Sequence, residues 1–66
     1  MSKYFRLTDK KNKDTIVKAE GRIQHQFIPG SGWVRSGILL EYQWPESPLY
    51  GYYETIPESE ALKAIN

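Results

Sequence analysis

The residues best suited to recognising another molecule cluster in two parts of this chain. Trp33, Arg35 and Leu39 lie close together, and Tyr50 and Tyr52 flank Gly51. Trp, Tyr and Arg combine large apolar contact area with a polar handle, and for that reason they dominate the energetic centres of protein interfaces. These five residues form the candidate binding set for a protein partner. A second set consists of Tyr4, Arg6, Lys10, Lys11, Lys13 and Arg22. It pairs rings with cations, as sheets do when they stack single-stranded bases and contact phosphates. Nucleic acid is therefore the alternative partner.

Catalytic chemistry finds less to work with. Without cysteine there is no disulfide and no thiolate metal site. The single histidine, His25, does not make a metal cluster, so neither a metal nor a cofactor is expected. Ser31 or Ser36, His25 and Asp14 provide the residue types of a hydrolase triad, but neither serine sits in a nucleophile-elbow context. Glu41, Glu46 and Glu54 show no spacing that separates them from an ordinary polar face. Pro29-Gly30-Ser31-Gly32 looks superficially like a phosphate cradle. A phosphate loop opens a helix, however, and here W-V-R-S-G-I-L-L follows, which alternates like a strand. The expectation is a protein that is not an enzyme, with His25 as a partly buried structural residue.

Charge points the same way. The net charge is +1, from 9 basic and 8 acidic residues, so no global field favours nucleic acid or an anionic membrane. Within that balance the first third is basic and the last third acidic. An acidic end would repel a phosphate backbone passing nearby. No apolar run approaches the roughly 18–20 residues of a membrane span, and the N-terminus lacks the apolar core of a signal peptide. The expected location is the cytoplasm.

Positioning these side chains falls to a single domain covering 1–66. A core this small needs help, and the 14% aromatic content points to large buried rings or self-association. Lys3 to Asp9 reads as a first strand with Phe5 and Leu7 on one face. Asp9 to Asp14 holds no apolar residue and reads as a solvated hairpin tip. Thr15 to Ile28 alternates throughout, with Val17, Ala19, Ile23 and Phe27 sharing a face. Straight, it would span roughly 46 Å, so it must bend or break, and Gly21 is the expected place.

The Pro29–Gly32 turn then makes Arg22 to Trp44 a central hairpin. Its second strand, Trp33 to Trp44, buries Val34, Ile38, Leu40, Tyr42 and Trp44 and leaves Trp33 and Leu39 on the opposite face. Gly37 marks a second bend. After the Pro45–Pro48 turn, Leu49 to Ile56 is a fourth strand. Thr55-Ile56-Pro57-Glu58 has the form of a capping box, with Ser59 as a rival cap, before a short helix built on Ala61, Leu62 and Ile65.

The expected fold is α+β: a strongly bent four-stranded antiparallel β-meander with a short C-terminal helix, or alternatively a small SH3-like β-barrel. The expected function is a non-enzymatic protein–protein interaction module. Its partner would be a second copy, forming a homodimer, or another protein.

Overall fold

Gly21 sets the topology. The computed structural model describes residues 2–65. In it the long alternating run stops at Glu20, where Gly21 takes a left-handed backbone conformation (φ 62°). A side chain is disfavoured there, and a tight hairpin requires it. The run thus becomes two strands, β2 (Ile16–Glu20) and β3 (Ile23–Ile28), paired antiparallel with Val17 opposite Gln26. A straight strand of that length would not fit a molecule whose longest dimension is 32 Å. The fold-back also moves Phe27 to the face opposite Val17, correcting the expectation that the two share one.

β1 (Ser2–Leu7) pairs with β2, and β3 pairs with β4 (Gly32–Arg35) across the Pro29–Gly32 turn. That turn is closed by the Ser31 N–H donating to the Ile28 carbonyl at 2.9 Å. Gly30 takes φ 88° within it. β5 (Tyr53–Ile56) then returns to the far side of the sheet and pairs antiparallel with β1. The order is β4-β3-β2-β1-β5, an antiparallel sheet of five strands instead of four, and it is not closed into a barrel. β4 is therefore an edge strand, and the Arg22–Trp44 hairpin expected at the centre lies at one side of the sheet.

Between β4 and β5 the expected continuation of the strand is a helix, α1 (Ile38–Gln43). Ser36 and Gly37 interrupt the alternation. The Ser36 hydroxyl accepts a hydrogen bond from the Ile38 N–H at 3.2 Å, and the Leu40 N–H donates to the Gly37 carbonyl at 3.1 Å. Once helical, the segment turns Leu39 and Tyr42, three apart, to the same side. Both are fully buried with Phe5, Leu7 and Val17. The loop from Trp44 to Tyr52 folds in turns, and Leu49 packs on this cluster instead of beginning a strand.

α2 (Glu58–Ile65) forms where the sequence placed it. The Pro57 carbonyl accepts hydrogen bonds from the Glu60 and Ala61 N–H groups, both at 3.1 Å. Thr55 is not its cap; it lies in β5 opposite Phe5. Ala61 is buried with Tyr4, Ile16 and Ile56, and Ile65 packs on them. Successive strand residues alternate between faces, so Tyr4 and Ile16 lie opposite Phe5 and Val17. The sheet is thus covered by α1 on one face and α2 on the other. Among the described residues no helix is long and apolar enough to cross a membrane.

Candidate functional site

The surface with the strongest claim to a function is the outer side of α1, and its rigidity comes from beneath. The Tyr42 hydroxyl donates to Asp9 Oδ1 at 2.6 Å and accepts from Asn12 Nδ2 at 2.9 Å. The Asn12 N–H also donates to Asp9 Oδ2 at 3.3 Å. A buried carboxylate is tolerated only with such partners. The loop from Asp9 to Asp14 is therefore tied to α1 at its base, while Lys10, Lys11 and Lys13 reach into solvent. Burial raises the Tyr42 phenol above its ordinary value of 10.0; the Asp9 hydrogen bond adds to this and that from Asn12 opposes it. Nothing in the spacing of Asp9, Asn12 and Tyr42 announced this network.

With Leu39 and Tyr42 inward, Leu40 points outward, and so does Trp44, which follows the last helical residue with extended backbone. They are 59% and 61% exposed, and with Gln43 and Pro45 they line one shallow concavity. The two-residue periodicity had assigned Leu40, Trp44 and Val34 to the core. All three are exposed, and Leu39, expected on the open face as a binding residue, is wholly buried. For Leu39, Leu40 and Trp44 the cause is a helix read as a strand, whereas Tyr42 is inward under either reading and Val34 is exposed on the edge strand β4. The signal that would have corrected it was present: Leu39 and Tyr42 at helical spacing directly after a Ser-Gly break.

Leu40 also borders a second depression of about 310 Å³, lined by Arg22, Gln24, Arg35, Ser36 and Gly37 as well. Arg22, in the β2–β3 turn, and Arg35, at the end of β4, are both exposed. Neither has a carboxylate partner among the described residues. Gln24 Oε1 is buried without a hydrogen-bond partner among them.

The remaining predicted residues are dispersed. Trp33 is half-buried, edge-on to Phe27 at 5.4 Å and tilted against Tyr4 at 6.3 Å, with Lys18 Nζ 4.8 Å from its ring centre. Its surface is largely taken up by neighbours. Tyr50 and Tyr52 are both exposed, on the loop before β5 and not on a strand. In the nucleic-acid set Tyr4 is buried and donates to Glu58 Oε2 at 3.2 Å. Burial, then that bond, raise its phenol above 10.0. Arg6 bridges Glu54 at 2.9 Å and Glu60 at 2.6 Å. Lys10, Lys11 and Lys13 precede β2 and Arg22 follows it, so the lysines and Arg22 lie at opposite ends of that strand. No continuous track joins this set. His25 stands opposite Lys18 and Arg35 in the sheet register, its Nδ1 buried and unpartnered among the described residues. No group of three or more His, Asp or Glu residues able to hold a metal occurs among them.

Comparison with known proteins adds no relative: no family model, no curated protein and no solved structure matches this chain.

Proposed function

We propose that the protein is a small non-enzymatic interaction module that binds another protein through the outer face of α1. The observation that carries this is the pair Leu40 and Trp44, each more than half exposed and sharing a concavity with Pro45, at the C-terminal end of a helix whose inner face is buried in the core. Apolar side chains held adjacent on a rigid support lose little conformational freedom when a partner covers them. A large indole is among the side chains enriched at the energetic centres of interfaces. The nucleic-acid reading has less support, since Tyr4 and Arg6 are already engaged within the chain.

The test compares wild type with a Leu40→Ser/Trp44→Ser variant in sedimentation and in selection from a displayed random-peptide library. Both side chains are exposed, so the variant should keep its fold, with stability within about 0.5 kcal/mol of wild type. If the partner is a second copy, wild type sediments as a dimer at micromolar concentration and the variant as a monomer. If it is another chain, wild type is monomeric and selects peptides that the double-serine protein does not hold. A monomeric wild type whose selected peptides all bind the double-serine protein equally well, or which selects none, overturns the proposal.

A further inference from the structure

We infer that the depression beside Leu40 receives an acidic segment of a partner protein. Its carboxylates meet Arg22 and Arg35, a peptide group meets the Gln24 amide, and an adjoining apolar residue seats on Leu40 and Trp44. The inference rests on the reading of α1 as a protein-binding surface and adds the chemistry of the partner.

Three observations converge on it. First, no acidic side chain lines this depression, although two guanidinium groups do. Elsewhere in the molecule Arg6 holds two carboxylates. Exposed cations without partners steer an anionic ligand and set its register. Arg also matches a carboxylate with a two-pronged donor geometry that lysine lacks. Second, Gln24 Oε1 is a buried acceptor that lacks a donor among the described residues. Chloride has no donor to offer it. A peptide group carries one donor and one acceptor, and it satisfies the Gln24 amide once that side chain turns its oxygen toward the segment. Third, Leu40 belongs to both the charged depression and the apolar concavity of Trp44 and Pro45. A single extended segment can therefore occupy both.

The same geometry disfavours a second copy in this place. A two-fold contact centred on Leu40 sets the same patch against itself, so the Arg22 and Arg35 side chains of both protomers would converge. Like charges brought together across an interface oppose association.

The experiment selects peptides from a displayed random library with wild type, with Leu40→Ser/Trp44→Ser and with Arg22→Glu/Arg35→Glu. Circular dichroism confirms that each variant is folded. Expected are wild-type sequences that pair Asp or Glu with a nearby Leu, Phe or Trp. A synthetic peptide of that composition should bind Arg22→Glu/Arg35→Glu about tenfold more weakly or worse, and its Glu→Gln version should lose affinity for wild type to a similar degree. Added salt should weaken the wild-type complex. Peptides that depend on Leu40 and Trp44 but show no acidic enrichment, or that bind the arginine variant equally well, overturn this inference and leave the interaction module standing. A wild type that selects nothing and stays monomeric overturns both. Displacement of the peptide by oligothymidylate at equal affinity, or a dimer that buries Leu40, assigns the groove to another occupant and also overturns it.

Discussion

The two helices close the two faces of one sheet, and they do so differently. α2 presents Ala61 inward, and its two acids find partners on β1: Glu58 accepts from Tyr4, and Glu60 pairs with Arg6. Its outer side is mainly polar, with Leu62 the one large apolar side chain left partly open. α1 presents Leu39 and Tyr42 inward and leaves Leu40 and Trp44 outward. α1 thus carries Leu40 outward beside Glu41 and Gln43, and Trp44 and Pro45 extend that apolar spot just beyond its last residue, whereas α2 has the usual amphipathic pattern of a surface element. An element that serves only as a lid needs one apolar face. The patch of Leu40, Trp44 and Pro45 at the end of α1 packs against neither core cluster, and that is the reason to look for a partner there and not at α2.

The comparison breaks first at Leu39. If α1 is anchored as described, Leu39→Ala removes a fully buried side chain from the larger apolar cluster. The expected loss is about 2–5 kcal/mol, measured by urea denaturation, a large share of the stability of so small a domain. Binding should fail only as the fold does. A Leu39→Ala variant as stable as wild type but defective in binding would restore Leu39 to the surface and undo the distinction between the two sides of α1.

That inversion also shows how far the sequence was legible. Strands β1, β2 and β3, the turn at Pro29–Gly32 and helix α2 each follow from a local rule, whether alternation, turn chemistry or Pro-preceded helical spacing. The segment from Gly32 to Gln43 satisfies two rules at once. V-R-S-G-I-L-L-E-Y-Q alternates well enough for a strand, yet it also places Leu39 and Tyr42 at helical spacing. Six helical residues are too few to decide by propensity, and tertiary packing decides instead. The candidate surface inherited the ambiguity. Arg35 was expected on the open face and Tyr50 and Tyr52 were singled out without a decision on which of them is buried, whereas the exposure of Leu40 and Trp44 depends on the helix. The Asp9–Tyr42 bond joins residues 33 positions apart, beyond the reach of any local pattern.

A smaller effect separates the two tyrosines that tie helices to the sheet from the three that do not. Tyr42→Phe removes the donor to a buried carboxylate and should cost about 1–3 kcal/mol, because Asp9 keeps its burial while losing its strongest partner. The equivalent change at Tyr4, whose partner Glu58 is exposed, should cost less. Both phenols titrate above 10.0 in the folded protein, burial being the larger cause in each. A folded-state value above the unfolded one favours the neutral phenol. The resulting stabilisation is complete below pH 10 and is lost as pH rises through the folded values. Stability should therefore fall on the alkaline side, and less steeply in Tyr42→Phe. Tyrosinate absorbance should show the Tyr4 and Tyr42 phenols ionising above 10.0, and the step that belongs to Tyr42 should be missing from Tyr42→Phe. A wild-type stability that is flat across that range would remove the burial argument for both.

The smallest expected effect tests whether α2 is held by charge or by packing. Arg6 reaches Glu54 and Glu60, but those carboxylates remain about half exposed, at 50% and 46%. Ion pairs in such surroundings contribute little and are screened by salt. Arg6→Gln should lower the melting temperature slightly at low ionic strength, and the difference should vanish in high salt. Substituting Ala61 with a bulkier residue, by contrast, should destabilise at every salt concentration, because overpacking is insensitive to screening. If Arg6→Gln were instead the costlier change and salt did not reduce it, α2 would be an electrostatically clamped element. The contrast with α1 would then rest on the strength of its ion pairs and not on which helix has an apolar patch to spare.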